Sequence, residues 1–160
     1  ANPVGHIVLH VFGRADPSRF ALSDHVCTAL QIIEHCQDVA EDHARGRVYL
    51  PAEDLRRFGA TEEDLVRVPT PVPVRRTLAL QTRRAKDLLD SGGPLAASLT
   101  GFARLAVAGY VAGGRAAVAA LERADHDVVG RAVRPAARRL LAEWPVAAMG
   151  RTGLGREAAR

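Results

Sequence analysis

The chain has 160 residues, 48% hydrophobic and 25% charged, a balance that fits one globular domain and excludes a disordered or fibrous protein. Aromatics make up only 4%, too few for a nucleic-acid stacking platform, and the longest charge-free stretches, 1–13 and 91–103, fall short of the ~17 residues of a membrane span. The net charge of +4 sits at one end: residues 1–130 carry 15 basic against 16 acidic side chains, residues 131–160 carry 7 against 2. With no leader pattern at Ala1, a cytoplasmic location is expected, with peripheral membrane contact open to the basic end and no nucleic-acid partner.

Apolar residues recur at helical spacing nearly throughout, so the class is all-α. His6 to Phe12 reads as the tail of a helix that stops at Gly13. The best-defined helix runs from Asp24 to Arg45, with Ser23 as N-cap and Gly46 as left-handed stop. A short helix over Pro51 to Phe58 ends at Gly59, and Thr61 with Asp64 forms a capping box. Val68 to Val74, with Pro69, Pro71 and Pro73, reads as an extended connector. Further helices are expected over Arg75 to Ser91, Leu95 to Ala124 and Pro135 to Trp144. The domain proper is then 1–145, with 146–160 a flexible basic tail. On a single Asp24–Arg45 helix, Cys27 and Cys36 lie ~13 Å apart along the axis on opposite sides, too far to form a disulfide.

The chemistry concentrates on the Asp24–Arg45 helix. On a helical projection Asp24, Gln31, Glu34, Asp38, Asp42 and Arg45 fall within about 80° of arc, with Glu41 at the edge. Val26, Ala29, Ile33, Cys36, Ala40 and Ala44 form the opposite stripe. Glu34, Asp38 and Asp42 make a ladder of like charges four residues apart, each pair costing a few tenths of a kcal/mol on a bare helix. Such a ladder suits a hard divalent cation, and Mg²⁺ takes one or two carboxylates and fills its other positions with water and phosphate oxygens. A solvated acidic face relieved by Arg45 and Arg47 is the other reading of the same residues. His6 and His10 share a helix face but lack a third ligand for zinc. Tyr110 and Trp144 are expected in the core, and His35 is a candidate proton acceptor toward a cavity.

The stretch Gln31-Ile-Ile-Glu34-His-Cys-Gln37-Asp38-Val-Ala-Glu41-Asp42-His-Ala-Arg45-Gly-Arg47-Val-Tyr49-Leu-Pro51 resembles the second aspartate-rich motif of the squalene and phytoene synthase family. That motif has a Gln, then Asp-x-x-Glu-Asp, then Arg-Gly-Arg-x-Tyr-Leu-Pro. Weaker likeness extends to Asn2-Pro-Val-Gly5, Val11-Phe-Gly13, Pro94 to Ser98 and Tyr110. Glu34 and Gln37, where the general motif has Asn and Arg, resemble the bacterial hydroxysqualene synthase branch. The resemblance implies an all-α isoprenoid synthase fold in which Mg²⁺ holds a prenyl diphosphate, presqualene or farnesyl diphosphate, between two acidic helices.

In that scheme Asp38 and Asp42 are metal ligands with Glu41 beside them. Gln31, Glu34, Arg45 and Arg47 contact substrate, Tyr49 is catalytic at the diphosphate, and the apolar Leu95 helix lines the hydrocarbon channel. Glu34 and Gln37 are expected near the ionising carbon, where the more negative field favours water capture and hydroxysqualene as product without a hydride donor. The family's first Asp-x-x-x-Asp motif is absent, since Asp38 with Asp42 is the only Asp pair at that spacing. The chain is therefore expected to be the C-terminal half of a longer enzyme, with weak Mg²⁺ binding and no turnover by itself. Head-to-head prenyl transfer, to squalene or phytoene, is the alternative within the family. A helical pyrophosphohydrolase and an inactive helical remnant or interaction domain are the alternatives outside it.

Overall fold

The computed structural model describes residues 1–151, and all regular structure among them is helical. In chain order the elements are α1 (Asn2–Val11), α2 (Pro17–Gln37), α3 (Val39–Ala44), α4 (Ala52–Phe58), a 3₁₀ turn (Glu63–Val66), α5 (Val72–Gly92), α6 (Pro94–Ala97), α7 (Gly101–Arg123) and α8 (Ala137–Ala148). The all-α expectation holds; several boundaries do not.

Helix α2 starts seven residues before Asp24. Asp16 is its N-cap, accepting the Arg19 N–H at 2.9 Å, and Pro17 occupies the first turn, where its missing N–H loses no bond. The Ser18 hydroxyl and the Arg19 N–H hold the Asp16 carboxyl below the ordinary carboxylate range. Ser23, expected to cap, is instead buried inside α2.

The acidic helix is also not continuous. Asp38 leaves helical geometry at φ −101° and ψ 15°, closing α2 and opening α3. Asp gains less from a helix interior than from its ends, and the break puts Glu41 and Asp42 in the first turn of α3, where backbone N–H groups offset their charge. The apolar stripe shifts with it: Val26, Ala29, Ile33 and Cys36 are buried as expected, but beyond Asp38 Val39 turns inward and Ala44 is exposed. Gly46 and Gly59 end α3 and α4 in the left-handed region. Asp64 accepts the Thr61 N–H at 3.1 Å, one half of the expected capping box.

The proline-rich connector is shorter than its composition suggests. Helix α5 begins at Val72, with Pro73 in its first turn. The expected long Leu95–Ala124 helix is divided into α6 and α7 by Ser98–Thr100, and α8 continues through Pro145 to Ala148. The boundary drawn at 145 is thus crossed by a helix; 152–160 lie outside the described residues.

Helix α2 packs most extensively on α5, and α7 on α8. The α2–α5 crossing is close because Gly92 has no side chain: a Cβ there would lie 2.7 Å from Val26 Cγ2 and 2.9 Å from the Leu22 carbonyl oxygen. Two clusters make the core. One joins α2, α4, α5 and the end of α7 around Ile33, Leu55, Leu78, Leu89 and Leu121; the other joins α1, α6, α7 and α8 around Leu9, Leu95, Leu99 and Val111. Helix α7 is long and apolar enough to cross a membrane by length and composition, but it is packed on α5 and α8 and carries buried Arg115, paired with Asp90 at 3.4 Å.

The segment after α7 is tied down by polar contacts. Thr70 Oγ1 accepts the N–H groups of Val128 and Val129 at 3.0 and 2.9 Å, and Asp127 Oδ1 accepts the Thr70 N–H at 2.9 Å. This anchors 128–134 beside Asp38.

Candidate functional site

Helices α1, α2 and α7, with Leu95 of α6, line an apolar cavity of about 270 Å³ that is partly open to solvent. Val4, Val8, Leu9 and Val107 supply hydrocarbon walls, and α2 adds Leu30, Gln31 and Glu34. Of α7, Val107 and Tyr110 reach this cavity. Tyr110, expected in the core, is 57% exposed and stands in this cavity's wall. Trp144 is partly exposed, donates from Nε1 to the Leu105 carbonyl at 3.1 Å and covers Gly109.

One turn beyond Gln31, His35 joins several of the sequence-predicted residues. Its ring stacks on Tyr49 at 3.9 Å between centroids and 19° between planes. Its Nε2 lies 3.2 Å from Gln31 Nε2, and its Nδ1 lies 3.6 Å from Asp42 Oδ2. A Gln amide nitrogen donates, so in this arrangement His35 Nε2 is the acceptor, and its Nδ1 faces Asp42. Arg47 lines a small cleft with His35, Asp42 and Tyr49.

Asp38 and Glu41 fall on another side. They line a polar depression of about 420 Å³ with Gln37, Arg131 and Arg134. Gln37, expected beside the ionising carbon, instead donates from Nε2 to the Val133 carbonyl at 2.8 Å. Glu41 pairs with Arg45 at 2.6 Å, both side chains 59% exposed, so the pair is worth at most about 1 kcal/mol.

The structure thus groups Gln31, His35, Asp42, Arg47 and Tyr49, and separately Asp38 and Glu41, with Glu34 between them at the cavity. Among the described residues no three His, Cys, Asp or Glu side chains converge as a complete metal site. The donor set still suits Mg²⁺ in kind: Asp38 and Asp42 offer hard carboxylate oxygens, and this ion needs only one or two of them alongside water and phosphate. Sequence reasoning missed Ser23 and Cys27 in the cavity wall and assigned Arg131 and Arg134 to the basic end of the chain; only the tertiary packing brings them to the site. Burial on the core face of α2 pushes the Cys36 thiol up to about 12.

Several known proteins are similar to this chain. The hydroxysqualene synthase of Zymomonas mobilis is 33% identical over 100 residues, covering 62% of this chain and 33% of that protein. The hydroxysqualene synthase of Rhodopseudomonas palustris is 38% identical over 104 residues, 64% of this chain and 35% of that protein. A presqualene diphosphate synthase of Sinorhizobium fredii is 38% identical over 64 residues, 40% of this chain and 23% of that protein. The crystal structure of squalene synthase HpnC from Alicyclobacillus acidocaldarius matches with a TM-score of 0.72 and 43% identity, over 79% of this chain and 48% of that one. The chain spans about a third of the length of the curated relatives it matches. The squalene/phytoene synthase model matches residues 1–141, which takes in the cavity, the broken acidic helix and the Arg-Gly-Arg segment alike, and the chain belongs to the squalene/phytoene synthase family.

Proposed function

We propose that this chain is part of a Mg²⁺-dependent enzyme that ionises presqualene diphosphate and captures water, giving hydroxysqualene. The observation that carries the reading is the course of α2. One helix lines the apolar cavity at Leu30 and Gln31, sets Glu34 at its edge and ends on Asp38, with Asp42 one turn further on. A hydrocarbon and its diphosphate can therefore lie along a single helix.

Asp42 on the His35 side, and Asp38 with Glu41 on the Arg131 side, would each offer carboxylate oxygens to Mg²⁺, whose charge would offset that of the departing diphosphate. Arg47 and Arg45 present forked donors to phosphate oxygens, and Arg45 gives up only an exposed pair with Glu41 to do so. Tyr49 stands beside Arg47 and fixes the His35 ring by stacking; its phenol is a further donor for the diphosphate. With His35 accepting from the Gln31 amide nitrogen, Gln31 Oε1 is left as an acceptor. The hydrocarbon walls keep bulk water from the cation formed when the C–O bond to diphosphate breaks. Glu34 adds negative charge at the rim, favouring a cation that survives until one water adds and gives up its proton.

Hydroxysqualene synthase relatives support the reaction, and HpnC supports the fold it needs. The test is product analysis by mass spectrometry with a family-length enzyme carrying this chain, on presqualene diphosphate, with and without NADPH. Hydroxysqualene formed without NADPH is expected. Squalene formed only with NADPH, phytoene from a longer substrate, or an enzyme that stops at presqualene diphosphate would contradict it.

A further inference from the structure

Arg47 stands in the small cleft with Asp42, yet among the described residues its guanidinium makes no hydrogen bond or ion pair that keeps it there. Its place is set by the backbone on either side. Gly46, left-handed at φ 71°, turns the chain off α3, and the Arg47 N–H then donates to the Asp42 carbonyl at 2.9 Å. At the other end Leu50 enters the core. Between these anchors Arg47, Val48 and Tyr49 form an exposed bridge outside any regular element. The Tyr49 ring ties this bridge to α2, stacked on His35 at 3.9 Å between centroids.

His35 is itself fixed. Gln31 Nε2, one turn back on α2, lies 3.2 Å from its Nε2, and Asp42 Oδ2 lies 3.6 Å from its Nδ1. Both ring nitrogens therefore face polar neighbours, and one ring face is given to Tyr49. The cleft floor is core, with Val39, Leu50 and Leu65 each at most 6% exposed. Tyr49 remains 48% exposed, so the stack orients the bridge rather than filling the interior.

We propose that His35 is a positioning residue for the diphosphate: its ring is the platform on which Tyr49 lies, and through Tyr49 it holds Arg47 beside Asp42. The inference rests on the reading of Arg47 as a diphosphate donor, and it adds that α2, which lines the hydrocarbon cavity, also fixes the phosphate-binding segment. A guanidinium without a partner of its own needs a backbone already in place, since ordering the segment on binding would cost affinity.

The test is a double-mutant cycle on inorganic pyrophosphate, bound to a family-length enzyme carrying this chain at saturating Mg²⁺ and followed by calorimetry. Arg47→Ala should weaken binding about tenfold or more, the worth of a charged hydrogen bond. His35→Ala, which removes the platform, should weaken it about two- to tenfold, the worth of an aromatic pair. Tyr49→Leu breaks the same contact from the other side and should weaken it at least as far. His35→Phe keeps a flat ring without the nitrogens and should stay within about twofold of wild type. His35→Ala/Arg47→Ala should bind about as weakly as Arg47→Ala alone, because His35 acts through that guanidinium. The stack also has a signature in the chain itself, which has two tyrosines. The Tyr49 ring protons should be shifted upfield in the NMR spectrum, and His35→Ala should abolish the shift while the Tyr110 signals report an intact fold.

Additive losses in the double variant, His35→Phe as weak as His35→Ala, wild-type affinity in Tyr49→Leu, or an unshifted Tyr49 ring would each overturn the inference alone. Pyrophosphate binding indifferent to Arg47→Ala would overturn the functional reading of Arg47, and the inference with it.

Discussion

Two helical glycines that look alike in sequence should respond oppositely to alanine. In Gly92→Ala the new methyl meets Val26 Cγ2 at 2.7 Å, the Leu22 carbonyl oxygen at 2.9 Å and His25 Cβ at 3.1 Å. The Val26 methyl can rotate away, but the Leu22 carbonyl is α2 backbone, so α5 has to withdraw from α2 by some tenths of an ångström. Overpacking of this kind costs about 1–3 kcal/mol, and the better helix propensity of Ala returns at most about 1 kcal/mol. The net loss of about 1–2 kcal/mol should lower Tm by roughly 3–6 °C in a chain of this size. Gly113 lies inside α7 with nothing within 4 Å of a built Cβ. Gly113→Ala should therefore gain about 0.5–1 kcal/mol and raise Tm by roughly 2–4 °C. Thermal unfolding followed by circular dichroism on the two variants decides it. A Gly92→Ala protein as stable as the parent would show that α2 and α5 do not cross as closely as described, and the position of the whole α2 track would fall with that contact.

His126, in the turn after α7, lies in the left-handed region at φ 54°, with Nε2 buried and unpartnered. Burial lowers its pKa below the ordinary 6.5, against the opposing pull of Asp125 and Glu122. The folded state then binds fewer protons than the unfolded chain, so this contribution is complete above pH ~6.5 and is lost as pH falls through the lower folded value. His126→Asn, which tolerates the same backbone, should flatten the fall in Tm between pH 8 and pH 5; identical slopes would refute the assignment. Thiol labelling should count one reactive cysteine in the native chain, Cys27 at the cavity, and two in denaturant, because Cys36 is buried with its thiol pushed up to about 12. Rapid labelling of both in native buffer would contradict that packing.

The acidic face was legible because its spacing and the Arg-Gly-Arg-x-Tyr-Leu-Pro extension are local, and they mark residues that the structure keeps within a few turns of one another. What the projection could not show is the break at Asp38, since nothing in the residue spacing marks the one position that leaves helical geometry and turns the faces beyond it. That break separates Asp42, which turns to His35 and Tyr49, from Asp38 and Glu41, which face Arg131 and Arg134. The N-terminus of α2 was misplaced because Ser23 carries a cap residue's side chain, whereas Asp16 followed by Pro17 is the stronger start signal. Gln37 was misjudged for a related reason: sequence position put it near the reacting carbon, but its amide donates to the Val133 carbonyl. Contacts across ninety residues leave no local trace.

The central claim is that the carboxylates ending α2 serve the cavity that α2 lines. It is tested most directly by diphosphate release from presqualene diphosphate in a family-length enzyme carrying this chain, comparing wild type with Asp38→Asn/Asp42→Asn across a Mg²⁺ titration. The account predicts a loss of at least about a hundredfold at every Mg²⁺ concentration, as expected when several kcal/mol of charge stabilisation are removed, with an unchanged helical circular dichroism spectrum. Undiminished diphosphate release with the same Mg²⁺ dependence would contradict it.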